Sequence, residues 1–282
     1  MADSSVERIA LVTGASSGIG LHTAIGLARA GMRVVMAGRD RIRTEAARQF
    51  VSDRSGSDRL EIVLAEFSCL AEVRQLAEEF LSAHNRLDVL VNNAGLFSPK
   101  YRISADGFEL TFAVNHLAPF LLTNLLLARL EASAPARIIN VASEAHRNNR
   151  IDIGNLARPR AWTMMRAYGR SKLCNILFTR ELGSRIDARE VVVTCLHPGM
   201  VATAIGQRGG GLVELGWRLM KPFMIGPEQG AETPVFLATV ADPAPFHGGY
   251  VIRRTLAQPD PAALDSGLAR RLWEESAKLV GI

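Results

Sequence analysis

The chain has 282 residues, 48% hydrophobic and 22% charged, so it can bury a full α/β core. Its net charge of +5 comes from scattered basic residues without a Lys/Arg-rich run, which argues against a nucleic-acid-binding protein. Its three cysteines, Cys69, Cys174 and Cys195, show no CxxC spacing and lie in apolar surroundings, which predicts free thiols, no metal site and a reducing, cytoplasmic compartment.

We expect no membrane-targeting segment. The start, MADSSVERIALVTG, passes from a polar tip straight into a short strand and does not resemble a signal peptide. The most apolar run, LAPFLLTNLLLARL, is interrupted by Pro119, Asn124 and Arg129 well short of the ~20 residues that cross a membrane. The sequence therefore predicts no transmembrane segment.

Short runs rich in β-branched residues alternate with helical patterns almost to the C-terminus. The predicted strands are 8–13, 33–38, 60–65, 88–93, 137–142, 191–196 and 249–253. They show little polar alternation, as expected of parallel strands that are buried on both faces. No repeat or low-complexity linker divides the chain. The pattern predicts a single domain over 1–282, with a Rossmann-type doubly wound parallel sheet of about seven strands and helices on both faces.

The first strand runs into a glycine-rich turn, TGASSGIG, and then into a helix. Gly14 permits the sharp turn, Gly18 lets the backbone approach a pyrophosphate, and Gly20 lets the helix lie close to the sheet. The N–H groups at the start of the helix would then face the anion. A glycine-rich turn can be no more than a turn, but its position between a strand and a helix favours a dinucleotide site.

The end of the second strand, MAGRD, predicts which dinucleotide is bound. An NAD-preferring site carries an acidic group there, whereas Arg39 offers a fork of donors to a 2′-phosphate. The alternative is a solvated arginine that starts the next helix, and Ser17 adds no second basic residue in the glycine loop. We predict NADP(H) rather than NAD(H).

Two adjacent asparagines in NNAG (92–95) end the fourth strand at the carboxyl edge, where ligands bind in such sheets. They could simply cap a loop. We expect instead that they hold the glycine loop and line the adenosine side of the cofactor.

In RAYGRSKLCN, Tyr168 precedes Lys172 by one helical turn, so both side chains share a face about 6 Å apart. A free phenol has a pKa near ~10, and a nearby cation favours its ionised form. The pair predicts a general acid–base, although an isolated YxxxK is more often a half-buried tyrosine beside a solvated lysine.

Two other residues support the catalytic interpretation. Ser143 follows the fifth strand, where its hydroxyl could hydrogen-bond a carbonyl oxygen. Asn115 lies four residues before Pro119 in a long helix, and because proline has no N–H, the Asn115 carbonyl loses its helical partner. We expect that carbonyl to hold a water beside Lys172 that completes a proton path to solvent.

In order and spacing, the glycine loop, NNAG, Asn115, Ser143, YGRSK and HPG (197–199) resemble the short-chain dehydrogenase/reductase family over residues 8–253. The stretches NHLAPFLLTNLLL, SEAHRNNRIDIGNL, SKLCNILFTREL and LARRLWEESAKLVG resemble its retinol-dehydrogenase-like branch. The resemblance implies hydride transfer between nicotinamide C4 and a carbonyl or alcohol carbon.

The resemblance also implies residue roles. Tyr168 would be the acid–base, Ser143 would orient the substrate oxygen, Asn115 would keep the water in place, and Lys172 would bind the nicotinamide ribose and tune Tyr168. The implied cofactor-binding set is Gly14, Ser16, Ser17, Gly18, Ile19, Gly20, Arg39, Glu66, Phe67, Asn93, Ala94, Gly95, Tyr168, Lys172, Pro198, Gly199, Val201 and Thr203.

The sequence departs from the family pattern in three respects. Glu66 stands where the family usually has an aspartate near the adenine, which puts that contact in question. Ala142, directly before Ser143, stands where the family frequently has another serine. The N-terminal membrane anchor of many retinol-dehydrogenase-like enzymes is missing, so we expect a soluble protein whose native substrate is not a retinoid.

Residues 204–226, AIGQRGGGLVELGWRLMKPFMIG, depart from the strand–helix alternation. On a helix, Glu214 and Arg218 would lie on one narrow polar stripe, and the remaining surface would be apolar. We predict a mobile lid over an apolar pocket, with Trp217 and Met220 against the substrate. A fixed core helix and a membrane-surface or dimer contact are the alternatives.

These patterns predict an NADP(H)-dependent carbonyl reductase or alcohol dehydrogenase that acts on an apolar small molecule. The alternative is a non-catalytic dinucleotide-binding sensor or scaffold protein. Such a protein would be expected to have lost one of the four catalytic side chains, and all four are present here. The sequence leaves the substrate, the direction of reaction and a homo-oligomeric state open.

Overall fold

The computed structural model describes residues 6–201 and 224–282, in which eight strands form one sheet in the order β3-β2-β1-β4-β5-β6-β7-β8. The strands are β1 (Ile9–Thr13), β2 (Arg33–Gly38), β3 (Leu60–Leu64), β4 (Val89–Asn92), β5 (Ala136–Val141), β6 (Val191–His197), β7 (Tyr250–Ile252) and β8 (Thr255–Leu256). Strands β1 to β7 pair in parallel, and β8 pairs antiparallel to β7. The predicted doubly wound parallel sheet is confirmed. The predicted strand count is one short because β8 has only two residues, too few to give a hydrophobic pattern.

Helices cover both faces of the sheet. They are α1 (Gly18–Arg29), α2 (Arg41–Ser55), α3 (Leu70–Ala83), α4 (Leu110–Ala132), α5 (Met164–Arg185), α6 (Pro227–Thr239) and α7 (Ser266–Val280). Alternate residues of β1 enter two separate cores, because successive strand side chains point to opposite faces. Leu11 packs with α3, α4, α5 and α7, whereas Val12 packs with α1, α2 and α6.

The ends of helix α2 show how local sequence sets an element boundary. The Asp40 carboxylate accepts a hydrogen bond from the Arg43 N–H at 2.8 Å and caps the start of the helix. Gly56 ends the helix with φ +73°, a conformation that favours glycine. Gly31, just after the end of α1, also has a left-handed backbone, with φ +82°.

Helix α4 departs from regular α-helical bonding where the sequence predicted it. Residues Ala113–Leu117 form a π turn in which the Ala118 N–H bonds the Ala113 carbonyl, one residue further back than in an α-helix. Pro119 follows, and because it has no N–H it cannot donate to the Asn115 carbonyl. The turn lies at Asn115, whose side chain is fully buried.

The same helix contains the apolar run 117–130 and extends beyond it at both ends. Within the described residues, Leu110–Ala132 is 23 residues long and its most apolar 18-residue stretch has a mean hydropathy of 1.5, enough to cross a membrane by length and composition. The helix reaches this length because it begins at Leu110, before the apolar run. In the structure, 78% of its most apolar stretch is buried within the fold, so core packing accounts for the hydrophobicity.

Candidate active site

A cavity of about 360 Å³ opens at the carboxyl ends of the strands. Its walls come from the loops after β1 to β4 and from the start of α4. The lining residues are Gly14, Ser16, Ser17, Gly18, Ile19, Gly38, Arg39, Asp40, Arg43, Glu66, Phe67, Asn93, Ala94, Gly95, Leu96, Phe97, Ser98, Pro99, Arg102, Leu110 and Val114. Most of the predicted cofactor-binding residues therefore border one space.

The glycine loop is held by the loop after β4. Asn93 donates through Nδ2 to the Thr13 carbonyl at 2.8 Å, and Thr13 Oγ1 accepts from the N–H groups of Asn93 and Ala94. Gly20 does not line the cavity, but a Cβ there would lie 2.4 Å from Asn93 Nδ2. Helix α1 therefore lies close to the loops that follow β1 and β4.

Only one of the two adjacent asparagines in NNAG holds the glycine loop. Asn92 instead donates to Thr123 Oγ1 at 2.9 Å and to Asn140 Oδ1 at 2.8 Å, inside the core. Neighbouring residues at a strand end point to opposite faces, so Asn92 and Asn93 have different partners. The expectation that both asparagines serve the loop was wrong for Asn92.

The start of α1 presents open donors to the cavity. Ser17 precedes the helix with an extended backbone, and in the described part of the chain its side chain does not cap the helix. Gly18 has φ +59°, so the turn needs a residue without a Cβ. Free N–H groups at a helix N-terminus attract anions, and a dinucleotide pyrophosphate fits this loop.

Two arginines line the cavity at the end of β2. Arg39 was predicted from the sequence, whereas Arg43, in the first turn of α2, was missed. Its position only four residues after Arg39, beside the end of the same strand, was the signal that could have found it. The Asp40 carboxylate is engaged as the cap of α2. Glu66 lies across from Arg39, with Oε2 at 3.3 Å from the Arg39 Nη1.

An acidic side chain has no room at the last residue of β2. A Cβ at Gly38 would lie 2.2 Å from Thr44 Oγ1, and Thr44 is fully buried. The Thr44 hydroxyl is itself fixed, because it donates to the Asp40 carbonyl at 2.7 Å. The packing of α2 against β2 therefore keeps this position a glycine.

The side chains of Asn115 and Lys172 both lie next to Gly95. A Cβ at Gly95 would lie 3.4 Å from Asn115 Oδ1 and 3.7 Å from Lys172 Nζ. Asn115 Oδ1 accepts from the Leu96 N–H at 2.8 Å, and Nδ2 donates to the Leu96 carbonyl and to Ser171 Oγ, both at 3.0 Å. The amide therefore joins the loop after β4 to the helix that carries Lys172.

Tyr168 and Lys172 lie on α5, next to Ser143 at the end of β5. Lys172 Nζ donates to the Val141 carbonyl at 2.8 Å and lies 5.6 Å from the centre of the Tyr168 ring. The ring of Phe97 packs edge-on against Tyr168, with ring centres 5.1 Å apart. The structure thus gathers the four predicted catalytic side chains around Gly95 and Phe97.

Burial sets the protonation of this cluster. It raises the pKa of Tyr168, and a hydrogen bond with the Ser143 hydroxyl opposes that rise. It also lowers the pKa of Lys172 to about 8. The sequence predicted that Lys172 would favour the phenolate. That prediction was wrong in direction for this structure, because burial of the phenol is the largest influence on its pKa.

The predicted HPG turn follows β6 and does not line the 360 Å³ cavity. Gly199 has φ +97°, and a Cβ there would lie 2.6 Å from Ile225 Cδ1. Val201 is buried and forms a parallel bridge with Ile225. The turn at Pro198 is therefore packed against the chain near 225.

Three predicted contacts lie outside the described residues: Thr203, Trp217 and Met220. The same applies to the predicted lid, of which only 224–226 is described. These assignments stay predictions.

The fold and this cluster define a class of protein: an oxidoreductase that uses a nicotinamide dinucleotide. The chain belongs to the short-chain dehydrogenase family, whose family model, described as short chain dehydrogenase, matches residues 8–209.

Curated relatives and solved structures agree with this assignment. The chain is 41% identical to dehydrogenase/reductase SDR family member 13 of Bos taurus, over 98% of this chain and 74% of the relative. It is 39% identical to retinol dehydrogenase 12 of Mus musculus, over 98% of this chain and 87% of the relative. The predicted retinol-dehydrogenase-like branch is confirmed.

Two solved structures show the same fold. An uncharacterized protein from Mycobacterium paratuberculosis superposes with a TM-score of 0.79 at 31% identity, covering 98% of this chain and 94% of that one. A protein described as an NAD(P)-dependent gluconate 5-dehydrogenase from Beutenbergia cavernae, with bound NADP, has a TM-score of 0.70 at 30% identity, covering 88% and 95%.

Proposed function

We propose that this chain is an NADP(H)-dependent oxidoreductase that interconverts a carbonyl and an alcohol on an apolar small molecule. The observation that carries the choice of cofactor is the pair of guanidinium groups, Arg39 and Arg43, on one wall of the cavity. Bound NADP(H) would supply or accept the hydride at nicotinamide C4.

The charges at the end of β2 favour a 2′-phosphate over a 2′-hydroxyl. An NAD site needs a free carboxylate there. Gly38 has no room for one, and the Asp40 carboxylate caps α2. Glu66 pairs with Arg39, and a phosphate can replace that contact with stronger bidentate bonds. The glycine loop has Ser17 where a second basic residue could bind the 2′-phosphate, and Arg43 supplies that second positive charge instead.

Tyr168 is suited to donate a proton during carbonyl reduction. Its raised pKa keeps the phenol protonated at neutral pH, and the Ser143 hydroxyl beside it can hold the substrate oxygen in line. In the reverse direction the same phenol would take the alcohol proton back. Phe97, packed edge-on against the Tyr168 ring, gives the substrate an apolar wall.

Lys172 and Asn115 support the cofactor and the proton path. An ammonium has three donors, and Lys172 uses one on the Val141 carbonyl, which leaves two for the ribose hydroxyls. The Asn115 amide fixes the loop at Leu96 beside Lys172. We propose that the irregular π turn also lets the Asn115 carbonyl hold the relay water predicted from the sequence.

A substrate screen tests this proposal. NADPH oxidation is measured over aldehydes, ketones and quinones of graded size, with NADH in parallel and the Tyr168→Phe variant as a control for background oxidation. We expect turnover of apolar carbonyls with NADPH, and much weaker turnover with NADH. Equal use of both dinucleotides contradicts the cofactor assignment. Tight NADPH binding without turnover of any carbonyl favours the sensor or scaffold alternative.

A further inference from the structure

We infer that His146 positions Ser143 for the reaction, and that the chain segment at Asp260 in turn holds His146. The inference rests on the proposed function, in which Ser143 orients the substrate oxygen. His146 does not line the cavity described above, so it is a positioning residue.

The hydrogen bonds of His146 determine its tautomer. Its ring is fully buried, and Nε2 lies 3.0 Å from the Asp260 backbone N–H, so Nε2 must accept. The other ring nitrogen, Nδ1, lies 2.7 Å from the Ser143 carbonyl oxygen. Since a neutral imidazole carries one proton, Nδ1 holds it and donates to Ser143. Burial lowers the pKa of His146, which favours this neutral form.

The bond to Ser143 holds a short turn whose geometry sets the direction of the serine side chain. Residues Glu144–His146 form a single 3₁₀ turn, and the Ser143 carbonyl also accepts from the His146 N–H at 3.1 Å. Ser143 Oγ accepts from the Ala145 N–H at 3.2 Å. One isolated turn has little stability of its own, so the contact from the imidazole keeps the hydroxyl aimed.

The segment around Asp260 is joined to this turn by further contacts. Arg147 Nη2 donates to the Gln258 carbonyl at 2.9 Å, and the Asn148 N–H donates to Asp260 Oδ2 at 3.0 Å. His146 is the side chain through which this attachment reaches Ser143. A segment more than one hundred residues along the chain therefore braces the serine from behind.

A packing role is the simpler explanation, because the His146 ring also lies edge-on to Tyr250, with centres 5.2 Å apart. If His146 only packed against its neighbours, any substitution of it would lower the stability of the protein, whichever ring nitrogen the new side chain replaced. A positioning role depends on the nitrogen at the δ position. The two explanations therefore differ in which variants reduce kcat.

A matched pair of variants separates the two bonds. His146→Asn places an amide N–H near the Nδ1 position and keeps the bond to Ser143, but loses the bond to Asp260. His146→Gln reaches the Nε2 position and keeps the bond to Asp260, but loses the donor to Ser143. We expect kcat to fall between ~10-fold and ~100-fold for Gln and only a few-fold for Asn, with KM for NADPH unchanged in both. Equal losses of kcat in both variants, or no loss in Gln, overturn the positioning role.

A second pair tests the bracing segment if the histidine variants fold poorly. Asp260 has φ −60° and ψ 143°, which proline can adopt, so Asp260→Pro removes the N–H in addition to what Asp260→Ala removes. We expect a lower kcat in the Pro variant than in the Ala variant, at equal NADPH affinity. Equal kcat values overturn the bracing role.

Ser143→Ala distinguishes failure of this inference from failure of the proposed function. If Ser143→Ala retains full activity, Ser143 does not orient the substrate and the proposed function loses that step. If Ser143→Ala is inactive while His146→Gln is fully active, the role of Ser143 stands and the inference about His146 is wrong.

Discussion

Arg43 follows Arg39 by four residues across the start of α2, and both line the same cavity. Arg41, between them in sequence, is exposed and does not line the cavity. The three arginines therefore offer a comparison in which charge is constant and only position differs.

We predict that Arg39→Ala and Arg43→Ala each raise KM for NADPH by ~10-fold to ~100-fold, because hydrogen bonds to a charged group contribute about 1.5–3 kcal/mol. KM for NADH should change little, since NADH has no 2′-phosphate. Arg41→Ala is the control and should leave both values near wild type. Steady-state kinetics with both cofactors checks this, and an equal rise for NADH contradicts the assignment.

Tyr168→Phe removes the phenolic proton and keeps the ring against Phe97. We expect kcat to fall by ~10²–10⁴-fold, the usual effect of losing a general acid. NADPH affinity, measured by calorimetric titration, should stay close to wild type. Turnover within a few-fold of wild type would show that another group supplies the proton.

Gly38→Ala should destabilise the protein, because the added Cβ would meet Thr44 Oγ1 at 2.2 Å. Overpacking of this kind costs about 1–3 kcal/mol. Thr44→Ala removes the clashing atom, so the double variant should lose less stability than the sum of the two single variants. Urea unfolding of all four proteins completes the cycle, and strict additivity contradicts the close contact.

Lys172 should make the stability of the cofactor-free protein depend on pH. Burial lowers its pKa from 10.5 to about 8, so between these values the unfolded chain binds a proton that the folded chain has released. The free energy of unfolding from this group therefore rises with pH from about 8 to 10.5. Lys172→Met should lose that rise. The measurement is the difference between wild type and variant in urea unfolding at several pH values, which cancels the titration of other groups. A difference that does not change with pH contradicts the lowered pKa.

Much of the fold and site could be predicted from local pattern. Seven of the strands are short β-branched runs, and the glycine loop lies where the first of them meets a helix. The YxxxK spacing places Tyr168 and Lys172 on one face of any helix. Such features depend on fixed local periods, and distant parts of the chain do not alter them.

Other features depended on contacts between distant segments. The partners of Asn92 and Asn93 lie on distant segments, Asn140 on β5 for Asn92 and Thr13 on β1 for Asn93. Arg43 lines the site because α2 begins directly after β2, beside the cavity.

The sequence by itself determined the class of fold, the dinucleotide loop and the identity of the four side chains that gather at the end of the sheet. Only the tertiary structure decided their environment. Burial reversed the predicted direction of the Tyr168 pKa, since desolvation depends on everything that packs around the ring. The fold also brings the Asp260 N–H to His146, which lies behind Ser143, and no spacing along the chain predicts this contact.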